Sequence, residues 1–102
     1  MRRRYLALKI DSNETFTSRE FVSAIWDAVL KLYGEYGASQ TYLALINYDI
    51  EKNHAILRTA HTTVDMIRAA LASITEIRNK PAAVHVLKVS GTIKALHKKK
   101  KP

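Results

Sequence analysis

An α+β sandwich, ordered β-α-β-β-α-β over an antiparallel sheet, is the fold this sequence predicts. Three observations predict it. Apolar and polar residues alternate with a period of two near both ends of the chain, two segments carry apolar residues at helical spacing, and a pair of short strand-like runs separates those segments. The chain has 102 residues and 47% hydrophobic content with three Gly and two Pro, enough for one domain with a real core.

The first strand covers residues 5–10, where Leu6, Leu8 and Ile10 alternate with Tyr5, Ala7 and Lys9. A polar turn over residues 11–15 follows. Thr17 and Glu20 then have capping-box spacing, and Phe16 and Phe21 fall at the two positions of a hydrophobic staple. The predicted helix runs over residues 18–33, and Gly34 or Gly37 supplies the left-handed residue that ends it. Two apolar rows run along it, Phe21, Ile25, Val29 and Leu32 on one side and Val22, Trp26, Leu30 and Tyr33 on the other. That band is wide for one layer of contact. The second row is either part of the protein's own core or a surface for a protein partner.

Residues 42–48 read as a strand, with Tyr42, Ala44, Ile46 and Tyr48 on one side and Leu43, Leu45 and Asn47 on the other. A polar connection over residues 49–53 makes a hairpin with a strand at 54–59. The second helix is predicted over residues 63–77, with Thr62 and Asp65 as capping pair and Val64, Ile67, Leu71 and Ile74 as its stripe. Asn79, Lys80 and Pro81 stop it. The last strand, residues 82–90, sets Val84 and Val86 against His85, Leu87 and Val89. This order is that of ferredoxin-like and RNA-recognition-like folds. One domain over residues 1–94 and a basic tail over 95–102 complete the expected organisation.

The net charge of +8 is concentrated at the two ends. Arg2, Arg3, Arg4 and Lys9 stand near the start, and Lys88, Lys94, Lys98, Lys99, Lys100 and Lys101 near the finish, with no acid among either group. Between them lie seven basic and nine acidic residues. A near-neutral body with cationic ends suits a polyanionic partner; the alternative is a solubilising tail. The absence of cysteine excludes disulfides and thiolate zinc sites. No segment has the pattern of a membrane span or a signal peptide, so a cytoplasmic protein is expected.

Catalytic signatures are lacking. His54, His61, His85 and His97 fall on different elements without zinc-helix spacing. Asp11, Glu14, Asp49 and Glu51 belong to turns. Gly34, Gly37 and Gly91 form no glycine-rich nucleotide loop. The expectation is therefore no catalytic residue and no metal or cofactor bound by this chain. The third strand lacks the stacking aromatics of a usual RNA-recognition module. Tyr5, Tyr42 and Tyr48 either form a smaller stacking surface or pack at the sheet edges. In the stretch Val89, Ser90, Gly91, Thr92, Ile93, Lys94, two hydroxyls and a glycine adjoin Lys88 and Lys94. It is either a phosphate contact or a plain strand-ending turn.

These residues resemble the ribonuclease P protein component 2 family over nearly the whole chain. The landmarks are Arg3-Arg4-Tyr5-Leu6-Ala7, then Ala24-Ile25-Trp26-Asp27-Ala28 with Leu32 and Gly34, then Ile56-Leu57-Arg58, and finally Val89-Ser90-Gly91-Thr92-Ile93-Lys94. The resemblance implies a non-catalytic subunit of an RNA-based enzyme in which magnesium ions held by RNA remove the 5′ leader from precursor transfer RNA. It implies as partners the ribonuclease P RNA, precursor transfer RNA indirectly, ribonuclease P protein component 3 and other protein subunits, with self-association also open, and no membrane. The expected RNA-binding set is Arg2, Arg3, Arg4, Lys88, Ser90, Gly91, Thr92, Lys94, Lys98, Lys99, Lys100 and Lys101; the expected partner-binding row is Val22, Trp26, Leu30 and Tyr33. The rival reading is a ferredoxin-like ligand-sensing or protein-assembly module with incidental basic ends.

Overall fold

Residues 2–94 are described by the structure, a computed structural model. In chain order its elements are β1 (Arg3–Asp11), α1 (Ser18–Ser39), β2 (Ala44–Asp49), β3 (His54–Ala60), a 3-10 turn (His61–Thr63), α2 (Val64–Ala72), β4 (Glu76–Ile77), β5 (Lys80–Pro81) and β6 (Ala83–Ser90). β2, β3, β1 and β6 form one antiparallel sheet in that order, so the first and last strands are neighbours. This is the ferredoxin-like arrangement, with a short β4–β5 hairpin added.

The alternation in β1 does what its pattern predicts. Leu6, Leu8 and Ile10 are buried at 1% exposure or less, while Tyr5, Ala7 and Lys9 take the opposite face. On the buried side they meet Leu57 and Ala55 of β3, Val84 of β6, Phe21, Ile25 and Val29 of α1, and Ile67, Ala70 and Leu71 of α2. Each fully buried Leu, Ile or Phe contributes roughly 1.5–3 kcal/mol, so this single layer supplies most of the stabilisation. Both helices therefore cover one face and leave the other open.

α1 begins as predicted. Glu20 N donates to Thr17 Oγ1 at 3.2 Å, and Thr17 N donates to Glu20 Oε1 at 3.0 Å. Phe16 and Phe21, the staple pair, are both buried. Helix α1 runs past the predicted end. Gly34 has φ 74° and breaks the helical path there, after which the chain re-enters helix to Ser39 and buries Ala38. Leu32, assigned from its spacing to the inward row, is 48% exposed, because the row Phe21, Ile25 and Val29 continues four residues on to Tyr33, which packs on the core.

α2 differs more. It is shorter than predicted, and neither it nor the preceding 3-10 turn has a side-chain N-cap bond, so Thr62 and Asp65 do not cap it. Thr63 is instead buried, with its hydroxyl donating to Ala60 O at 3.0 Å. Residues 76–77 leave the helix to pair with 80–81 around Arg78 and Asn79, both at positive φ, the backbone of a tight two-residue hairpin turn. Ile74 and Ile77 stay buried by a different route.

Two β-bulges correct the predicted strand faces. In β2 the register slips at Ile46, which turns Tyr48 inward beside Leu45 rather than outward beside Ala44. Tyr48 stacks on Phe21 at 5.5 Å and its hydroxyl donates to Phe16 O at 2.6 Å. Burial raises its pKa, so the hydroxyl keeps the proton it donates. In β6 the slip at Leu87 turns Val89 toward the core side and Lys88 toward the open face. An extra residue in one strand shifts every later side chain by one position, and period-two reading cannot see it.

Glu20 also binds Arg78, which fastens the β4–β5 hairpin to the start of α1. The Thr17 backbone bond and then Arg78 hold the Glu20 carboxyl below the usual carboxylate range. A lowered folded pKa gives stability that is complete above the unfolded value and is lost as pH falls through the folded one. Thr17→Ala is expected to cost about 1 kcal/mol in denaturant unfolding. Glu20→Gln should flatten the acid limb of the stability–pH curve.

A cationic cleft between the first and last strands

β1 and β6 pair with Tyr5 opposite Ser90 and Ala7 opposite Lys88. This register lays the residues before Tyr5 beside those after Ser90. The result is a cleft of about 560 Å³ lined by Arg2, Arg3 and Arg4 at the start of β1 and by Val89, Ser90, Gly91 and Thr92 at the end of β6 and just beyond it. Two segments nominated separately for RNA contact thus share one wall and one opening.

Local bonds set its shape. Arg4 Nη1 donates to Arg3 O at 3.2 Å, and Thr92 N donates to Ser90 Oγ at 3.3 Å. The Arg4 guanidinium lies over Gly91, where an added Cβ would come within 3.4 Å of Nη1. That is ordinary van der Waals distance, so the guanidinium and the Gly91 backbone lie side by side on the floor. A guanidinium, hydroxyls and close backbone suit a tetrahedral oxyanion, because planar donors and small polar groups can meet several of its oxygens at once.

The remaining nominated cations are distributed around it. Lys88 lies on the open face of β6, and Lys94 is exposed outside the cleft lining. Lys98, Lys99, Lys100 and Lys101 lie outside the described residues. Two cations lie outside the expected RNA-binding set, although Lys9 was counted with the basic N-terminal group. Lys9 and Arg58 share the open face with Lys88, Arg58 directly opposite Tyr5. Their signal was an outward strand position, and Arg58 Nε has no hydrogen-bond partner among the described residues.

The opposite end of the sheet has another character. Asp11 ends β1 with Oδ2 3.7 Å from His85 Nε2, while Asp49 ends β2 and Glu51 lies in the turn that follows, its N–H donating to Asp49 Oδ1. Among the described residues no three His, Asp or Glu gather within reach of one metal ion. No helix among them is long and apolar enough to cross a membrane. Of the second α1 row, Val22, Trp26 and Tyr33 are half-buried and Leu30 is 40% exposed. Trp26 and Tyr33 pack on the core with one side and leave the other available.

Fold and cleft together define a ferredoxin-like sandwich with a cationic cleft at one end of its sheet. Over residues 4–101 the chain matches the Rpp14/Pop5 family, to which it belongs. It is 38% identical to Ribonuclease P protein component 2 of Pyrococcus abyssi over 94% of this chain and 81% of that one. With Ribonuclease P protein component 2 of Methanocaldococcus jannaschii it shares 39% identity, covering 91% and 68% of the two chains. A chain in the cryo-EM structure of yeast Ribonuclease MRP has the same fold, with a TM-score of 0.75, 16% identity and coverage of 89% of this chain and 75% of that one. The resemblance and the fold class read from the sequence are thereby established.

Leu87 is the extra residue of the bulge, so deleting it leaves Val86 opposite Leu8 and Lys88 opposite Ala7 in regular alternation. The shortened chain is expected to fold with the faces of residues 88–90 unchanged and their amides protected from exchange; rapid exchange there would contradict a single-residue bulge. Trp26→Ala is expected to destabilise by less than the roughly 3–5 kcal/mol of a fully buried tryptophan, measured by denaturant unfolding.

Proposed function

We propose that this chain is a non-catalytic protein subunit of a ribonuclease P ribonucleoprotein that binds and stabilises the catalytic RNA and so supports removal of the 5′ leader from precursor transfer RNA. The observation that carries the reading is the β1–β6 register, which sets Arg2, Arg3 and Arg4 beside Ser90, Gly91 and Thr92. The names of the relatives point the same way.

In this reading the cleft takes RNA phosphates, and Lys9, Arg58 and Lys88 extend the contact across the open sheet face. Cations fixed on a rigid sheet replace diffuse counterions, so RNA segments that repel one another can pack at lower magnesium. The magnesium ions are held by the RNA, and this chain binds no cofactor of its own. The half-exposed row Val22, Trp26, Leu30 and Tyr33 faces protein partners, with ribonuclease P protein component 3 and other subunits first and a second copy of this chain as the alternative occupant. Precursor transfer RNA is met indirectly, within the assembly, in the cytoplasm.

Reconstituted cleavage of precursor transfer RNA at limiting magnesium is expected to rise when this chain joins the RNA and its other protein subunits. No change would contradict the reading. If about five phosphates are contacted, RNA affinity should fall roughly 10²- to 10³-fold between 50 and 200 mM salt. Replacing Arg2, Arg3 and Arg4 together with Ala should reduce that salt slope by about one unit for each phosphate no longer neutralised. A wild-type slope near zero would refute phosphate binding.

A further inference from the structure

A second cleft, of about 370 Å³, adjoins the first and is lined by Arg2, Gln40, Tyr42, Ala60, His61 and Thr62. Arg2 lines both clefts. Its carbonyl accepts the His61 backbone N–H at 3.0 Å, so the start of β1 is tied to the wall of the second cleft.

Tyr42 is the unusual residue here. Its side chain is 57% exposed, and its backbone has φ 50°, a region that bulky residues seldom occupy. The neighbouring residues impose this. The Thr41 carbonyl accepts from both Ala60 N at 2.7 Å and Thr59 Oγ1 at 2.8 Å, while Thr41 Oγ1 donates to Ala38 O at 2.8 Å. Thr59 Oγ1 also lies 3.0 Å from Thr63 Oγ1. Thr41, Thr59 and Thr63 are all buried. With Thr41 held from both sides, the chain turns at residue 42 on its way to β2. A glycine would make that turn without strain. The sequence holds there a large aromatic ring that gives the core little. Strain of this kind, fixed by a rigid surround around an exposed side chain, points to function.

We infer that the cleft at Tyr42 is a nucleobase site: an unpaired RNA base stacks on the Tyr42 ring while a phosphate of the same strand occupies the cationic cleft beyond Arg2. The Gln40 amide, the Thr62 hydroxyl and the His61 ring stand at the rim with donors and acceptors for a base edge. Aromatic stacking accepts any base and works beside a cationic track, the combination by which single strands are held. This inference rests on the RNA-binding reading above and adds to it a preference for unpaired nucleotides.

The test uses the full chain with two labelled probes, an oligoadenylate and an abasic ribose-phosphate strand of the same length, read by fluorescence anisotropy. Tyr42→Ala should weaken oligoadenylate binding about tenfold and leave the abasic strand unchanged, while Tyr42→Phe keeps wild-type affinity for both. Tyr42→Gly should lose the same affinity without lowering the melting temperature, since glycine relieves the backbone. Equal affinity of Tyr42→Ala and wild type for oligoadenylate would overturn the inference, as would a parallel loss on both probes or a marked fall in the stability of Tyr42→Gly. If the wild-type protein binds the abasic strand but gains nothing from bases, the nucleobase site fails and the phosphate cleft stands. If it binds neither probe in dilute buffer, both fail together.

Discussion

The antiparallel pairing of β1 with β6 joins segments some eighty residues apart, and the rest of the molecule follows from it. β1 is central in the sheet, bonded to β3 on one side and β6 on the other. Its inward residues are the floor on which both helices pack. Because that floor fixes which way each residue of β1 faces, it also fixes where Arg2, Arg3 and Arg4 emerge. The register with β6 then determines what they emerge beside. One constraint thus serves stability and site geometry, and a shift in register would disturb both.

Charge is organised by the same frame. The cleft opens at the sheet end where β1 begins and β6 finishes, and the acids Asp11, Asp49 and Glu51 stand at the other end. Cations on the open face connect the two regions through Arg58, Lys88 and Lys9. Such a distribution directs a polyanion to one end and across one face, whereas the same net charge spread evenly would orient nothing. Helix α1 covers the opposite face, so the open sheet and the half-exposed row of that helix can serve different partners at the same time.

What the sequence revealed and what it hid have separate physical causes. β1 and the start of α1 were legible because alternation and the Thr17–Glu20 box are local signals that tertiary packing reinforces. The faces of β2 and β6 were misread because bulges at Ile46 and Leu87 carry no residue-type signature. The early end of α2 was hidden because the helix stops at Ser73, whose hydroxyl donates to Ala70 O, while Ile74 and Ile77 stay buried beyond it and so continue the apolar spacing. Of the cleft, the residues were legible one by one as cationic or hydroxyl-bearing. Their meeting needed the strand order, which places first and last strands side by side. Arg58 entered only as part of a family landmark, since its place opposite Tyr5 on the open face depends on the β1–β3 register; Tyr42 was open as a stacking residue, but its positive φ leaves no periodic trace.

The central claim is that residues 2–4 and 89–92 form one phosphate-binding surface. Its most direct measurement is a titration of the isotope-labelled chain with structured RNA, followed by backbone amide chemical shifts. The account predicts that the amides of Arg3, Arg4, Ser90, Gly91 and Thr92 shift together along one binding curve that weakens with added salt. Shifts confined to the helical face, or two separate curves for the two segments, would contradict it.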